Sequence, residues 1–327
     1  MVVKSDWLET LAARIPGLGI IFSVCSGICF ATSAFGSERM PNVNPVVPVV
    51  YWSVVQVIIY SIVSWCQGFN LWADKSERLL LVIRSIGGFS AFVLIYYSFH
   101  YMNFSDVNTI AMSAPIYVAP LAALFLKEPC GIFQAVAIFL TITGLVLIAR
   151  PSILFGDISG AKFDASQYVI GASMAFCASL GVSVSVLTIR RIRKTEPFVI
   201  VVWFSWLSII FGVCLLVMMY LITGDSIGFP TTTADWWYIN LCAACGVLGQ
   251  AFFVWALRVE EAGLVSLART FDIVMSFIFQ IGFMDQPIYW TSIVGSVIVS
   301  TTVVITCLKK VYDSNPARFG CNKKINP

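Results

Sequence analysis

The chain has 327 residues, of which 59% are hydrophobic and only 11% charged, with a formal net charge of +3. A soluble domain carries about 25% charged residues, and a chain of mean hydropathy +0.88 cannot cover a water-facing surface with polar groups. These values exclude a soluble globular protein and make the lipid bilayer the solvent.

Residues 1–16 form a short N-terminal segment with Lys4, Asp6, Glu9 and Arg14. A helix needs about 20 apolar residues to cross the hydrocarbon core. The first apolar run, 17–35, has no small-residue cleavage site after it and reads as a retained helix rather than a signal peptide. Nine more spans are predicted near 46–66, 79–101, 107–126, 131–149, 167–189, 198–221, 236–257, 263–283 and 288–308. Short links between several of them force antiparallel neighbours.

Each span carries its own polar signals. Span two places Trp52, Gln56 and Tyr60 at i, i+4 and i+8, and the amide in an apolar helix suggests an interior face whose aromatics can close on a ligand or simply pack. Span three holds Arg84, which either turns inward or snorkels to the headgroups, and Gly87, Gly88 and Ala91, small residues that permit close helix packing. His100, the one histidine, ends that span as an interfacial residue or a proton switch. Asn103-Phe104-Ser105 is a sequon in a loop too short to expect modification. Pro115 and Pro120 remove helical donors from span four and are expected to bend it. Glu128, in the turn after that span, is a candidate cap or gate, and Asp285 after span nine is its equivalent.

The run Arg190-Arg191-Ile192-Arg193-Lys194 follows span six. It sets topology and attracts anionic lipid, and is too short and too near the membrane to imply nucleic acid. Eight of the ten cysteines lie in apolar runs, where thiols behave as small hydrophobes. Cys242 and Cys245 form a CxxC without a second pair. Span nine is the richest in chemistry: Arg269 and Asp272 stand at i and i+3, and Ser266, Ser276 and Gln280 fall on the same side. Asp272 lies about 13 Å past Gly263 at about 1.5 Å per residue, near the bilayer midplane. Ionisable residues at that depth are costly and are functional candidates. The alternative is a structural ion pair locking the helix.

Fifteen of the twenty Lys and Arg residues fall on the side that holds both termini, three on the other, and Arg84 and Arg269 within spans. This bias places both termini in the cytosol; plasma membrane and endomembrane are not distinguished. Shifting the second half back by 157 positions aligns residues 105–129 with 262–286, Ala111 meeting Ala268 and Glu128 meeting Asp285. Five spans per half invert the second half relative to the first, an arrangement that secondary carriers use to build a site between repeats.

The stretches Arg84-Ser85-Ile86-Gly87-Gly88, Tyr96-Tyr97-Ser98-Phe99, Ser105-Asp106 to Pro115 and Phe125-Leu126-Lys127-Glu128 resemble the EamA module of the drug/metabolite transporter superfamily. Ile148-Ala149-Arg150-Pro151 with Leu154-Phe155-Gly156, then Ala262-Gly263-Leu264-Val265 and Arg269-Thr270-Phe271-Asp272, are similar to the G-type branch of solute carrier family 35. The pattern has two glycines in the last helix of each module; here those helices keep only Gly144 and Gly295. The resemblance implies an all-α integral membrane protein, ten transmembrane helices arranged as two inverted five-helix repeats, with a central cavity and alternating access. The modules are expected at 17–150 and 167–308, joined by a linker at 151–166 and followed by a tail at 309–327.

The function expected is secondary transport of a small polar solute. Arg84 and Arg269 favour an organic anion such as a di- or tricarboxylate, because guanidinium binds carboxylate bidentately. The alternatives are a carrier of a neutral or cationic metabolite held by Asp272, or a membrane scaffold or regulator without transport. Clustered histidines, GxSxG and a phosphate loop are all absent from the sequence, so no enzyme, metal, cofactor or ATP coupling is expected. The expected partners are the solute, membrane lipid and a second copy of the chain.

Overall fold

A computed structural model of the chain describes residues 14–15, 17–102, 107, 110–127, 131–149, 165–223, 228–283 and 290–314. Glu128, Asp285, the sequon at Asn103, most of the linker and most of the tail lie outside the described residues, as does the side chain of Gln280. The secondary structure among the described residues is helical: α1 (Leu18–Glu38), α2 (Val46–Cys66), α3 (Arg78–Ser98), α4 (Pro115–Leu126), α5 (Ile132–Ala149), α6 (Ala165–Arg191), α7 (Pro197–Thr223), α8 (Thr233–Val259), α9 (Ala262–Arg269), α10 (Phe271–Phe283) and α11 (Trp290–Ser314).

Six of these, α1, α2, α3, α6, α7 and α8, are long and apolar enough to cross a membrane. Of the other expected spans, four and nine appear as shorter pieces, while five and ten are the helices α5 and α11, of 18 and 25 residues. Span four is not one bent helix: the chain turns at 112–114 and restarts with Pro115 at the first position of α4. A proline there removes a donor that has no helical partner anyway, so Pro115 opens a helix where the sequence suggested a kink. Pro120 does lie inside α4. Span nine is likewise two helices, α9 and α10, separated at Thr270.

Local chemistry explains several ends. Thr232 and Asp235 form a reciprocal capping box at the start of α8, which satisfies two otherwise orphaned backbone donors. Lys127 closes α4 in the left-handed conformation (φ 57°), its N–H reaching the Ala122 carbonyl. Large apolar side chains such as Ile62, Trp65, Phe139, Leu221 and Val297 remain exposed on the outside of the bundle. Patches of this extent suit a lipid-facing surface.

The core is built between the halves. α1 packs mainly on α8, α3 on α6, α2 on α7, α4 equally on α9 and α6, and α5 on α11. Exchanging the halves maps the first two pairs onto each other and α2–α7, α4–α9 and α5–α11 each onto itself, the pattern that two similarly built halves related by a two-fold axis produce. Small residues carry the close crossings. Gly87 and Gly181 meet where α3 crosses α6, and Gly144 meets Gly295 where α5 crosses α11. One glycine per end helix is therefore enough for tight packing, because the two that remain face each other.

Candidate functional site

The two interrupted spans stop at equivalent places. Ser113 and Thr270 are 157 residues apart, the repeat offset. Each hydroxyl donates to the carbonyl three residues back, Ser113 Oγ to Ile110 at 2.7 Å and Thr270 Oγ1 to Leu267 at 2.6 Å. Such back-bonding competes with the helical ladder. The breaks also meet in space: Met112, at the first, packs in one cluster with Phe271, Ile273 and Val274, just past the second. Helices broken at corresponding points of two halves mark solute sites in carriers.

Helix α1 holds the second break in place. Ser23 Oγ donates to the Val265 carbonyl at 2.6 Å. A methyl group on Gly27 would lie 3.1 Å from the Arg269 carbonyl oxygen and 3.2 Å from the Asp272 nitrogen. A side chain there would require the break to give by a few tenths of an ångström, so glycine lets α1 approach it without displacement.

Beside the break lies a cavity of about 20 Å³ lined by Arg84, Arg269, Gln250, Ser185 and the rings of Phe30, Phe92 and Phe253. That volume holds about one water. Arg84 is 1% exposed and Arg269 6%. The Arg84 guanidinium lies 3.9 Å from the Phe204 ring, and that of Arg269 lies 4.6 Å from both Phe30 and Phe253. Desolvated guanidinium–ring contacts of this kind contribute about 2 kcal/mol. Arg84 Nη2 donates to Gln250 Oε1 at 2.7 Å. Its Nε and Nη1, and the Nε of Arg269, are buried with no acceptor. A buried donor left unpaired costs about 1–3 kcal/mol, and more when charged.

The expected residues divide into those at the cavity and those behind it. Arg84 turns inward rather than snorkelling. Arg269 is beside it, but no ion pair joins Arg269 to Asp272 among the described residues, because the interruption at Thr270 puts them on different helices. Asp272 sits in the first turn of α10, 4% exposed, and accepts from Ser276 Oγ at 3.4 Å. It does not line the cavity, and Ser266 Oγ donates to the Gly263 carbonyl. The continuous polar stripe expected on span nine is thus split in two.

Span two also lies back from the cavity. Trp52 stands one layer behind it, edge-on to Phe92 at 4.8 Å. Gln56 accepts from Ser205 at 2.8 Å and Tyr60 donates to the Val247 carbonyl at 3.2 Å, so both tie α2 to its neighbours. His100 lies beside Tyr97, ring centres 6.4 Å apart. Cys242 Sγ donates to the Ser33 carbonyl at 3.2 Å, a packing contact.

Sequence reasoning missed Gln250, Ser185 and the phenylalanines, and read Gly88 and Ala91 as packing alone although both line the cavity. The signal was available on α3: residues 84, 88, 91, 92 and 95 share one helical face with Arg84. Gln250 was an amide in an apolar span, the same signal that singled out Gln56.

The model of the EamA-like transporter family matches residues 17–150 and 169–308. Solute carrier family 35 member G1 of Mus musculus is 31% identical over 89% of this chain and 78% of its own length. Its Homo sapiens counterpart is 28% identical over 93% and 82%. A probable transport protein of Saccharomyces cerevisiae is 25% identical over 71% of this chain and 68% of its own. A solved crystal structure superposes with a TM-score of 0.68 at 14% identity, covering 93% of this chain and 99% of that one, which speaks to the fold alone.

Proposed function

Because the chain belongs to the EamA-like transporter family, and so is a secondary transporter of a small solute and not an enzyme, we propose that its solute is a small organic anion, a di- or tricarboxylate. One observation carries this reading: two buried guanidiniums line the same cavity with unpaired donors. Carboxylate oxygens are the acceptors those donors lack, and charge-assisted bonds are about twice as strong as neutral ones. A cation carrier would rest on Asp272, which stands off the cavity.

In the proposed mechanism ten spans form two inverted five-helix units with both termini cytosolic. The units rock about their shared interface, exposing the arginines alternately to each side. The solute neutralises the buried charge in the closed state and lowers the cost of passing through it.

Purified protein in liposomes, offered labelled anions, neutral solutes and amines with and without a pH gradient, tests this. Uptake confined to anions, and lost in Arg84→Ala and Arg269→Ala, is expected. Anion uptake unchanged by either substitution would remove the arginines from the mechanism, and uptake of amines alone would end the anion reading.

A further inference from the structure

Helix α8 supports both cationic groups of the cavity, and with uncharged chemistry in each case. Gln250 Oε1 takes the hydrogen bond from Arg84 Nη2 at 2.7 Å. One turn on, the ring of Phe253 lies 4.6 Å from the Arg269 guanidinium. The helix is pinned here to α1, since Ser26 Oγ donates to the Gly249 carbonyl at 2.9 Å. Gln250 is itself buried and lines the cavity.

Glutamine at this position has a consequence that glutamate would not. A carboxylate here would accept the same hydrogen bond and cancel the charge of Arg84. The amide oxygen fixes the guanidinium and leaves its full charge facing the cavity. We propose that Gln250 is the specificity-determining residue of the site: it lines the cavity and positions Arg84 there without neutralising it. The inference rests on the anion reading above and deepens it, making Arg84 the main anion contact. Arg269 has the carboxylate of Asp272 three residues away in its own interrupted span; Arg84 is held by a neutral partner.

The test compares Gln250→Glu and Gln250→Met with the unaltered protein in liposomes, measuring uptake of labelled succinate, tricarballylate and the neutral analogue succinamide. Gln250→Glu is expected to raise the KM for both carboxylates at least tenfold and to reduce the carboxylate-to-succinamide uptake ratio by a similar factor. Melting temperature in detergent should not fall, since the substitution gains an ion pair. Gln250→Met keeps the charge balance but removes the acceptor. It is expected to raise KM severalfold while carboxylates remain preferred, a split that a merely structural residue would not give.

Unchanged carboxylate KM in Gln250→Glu, with normal uptake by the unaltered protein, would overturn the inference alone. If Gln250→Glu does not fold, Gln250→Met decides: an unchanged KM there overturns it equally. Failure of the unaltered protein to take up either carboxylate would sink the anion reading and the inference with it.

Discussion

At the scale of single residues, the two guanidiniums of the site differ in the charge that stands nearby, although neither is ion-paired among the described residues. Asp272 gives span nine an internal counter-charge, placed in the first turn of α10 where the helix dipole favours an anion. Arg84 has only an amide. Arg84→Lys therefore tests geometry rather than charge. An ammonium is a point donor and cannot span Gln250 and a carboxylate as a planar fork does. We expect the carboxylate KM to rise about tenfold, equivalent to about 1.4 kcal/mol, with the protein still folded. Asp272→Asn, being off the cavity, should change that KM by less than the Arg84 substitution does; the reverse order in the same uptake assay would move the binding centre to α10. Arg84 and Arg269 were legible in the sequence because charge in an apolar span stands out against its surroundings. Gln250 was not picked out, because five predicted spans carry a glutamine and only tertiary packing decides that this one meets Arg84 while Gln56 meets Ser205.

At the scale of elements, the long spans were legible because some twenty apolar residues have one use. The interruptions in spans four and nine were not: the hydroxyls of Ser113 and Thr270 bond back to their own helices there, but those of Ser90 and Ser179 do the same within unbroken helices. What holds the second break is the contact of Gly27 with the Arg269 carbonyl and the Asp272 amide. Gly27→Val inserts three carbons into that contact. Overpacking a tight contact typically costs about 1–3 kcal/mol, so a lower melting temperature and a slower maximal uptake rate are expected. An unchanged melting temperature would mean that α1 yields freely there and does not support the break.

At the scale of the whole molecule, the proposed alternating access needs contacts between the halves that can be released, and one candidate lies where the first half grips the second. Glu77, preceding α3, accepts from the backbone N–H groups of Arg193, Lys194 and Thr195 at 2.8–3.0 Å and from the Thr195 hydroxyl at 2.7 Å. Arg258, at the end of α8, adds contacts to the Ile192 and Thr195 carbonyls. Burial pushes the Glu77 carboxyl up, but the bonds from Lys194, Thr195 and Arg193 together outweigh it and hold it below the ordinary glutamate value. A depressed carboxylate stabilises the closed contact at every pH above its unperturbed pKa of about 4.3, and that stability is lost only as pH falls through the lower, latched value. The contact is thus intact and insensitive to pH from about 5 to 8. Glu77→Gln keeps an acceptor but removes the charge and halves the accepting capacity. With charge-assisted bonds worth about 1.5–3 kcal/mol each, the latch should open roughly tenfold more often or more. Hydrogen–deuterium exchange reads this at the three amides themselves. In Glu77→Gln the amides of Arg193, Lys194 and Thr195 should exchange at least tenfold faster than in the unaltered protein. The acceleration should be equal at pH 6 and pH 8 once intrinsic rates are divided out. Equal protection in both proteins would show that Arg258 and the packing of α6 against α3 hold the segment without Glu77, and the latch would then lie elsewhere in the bundle.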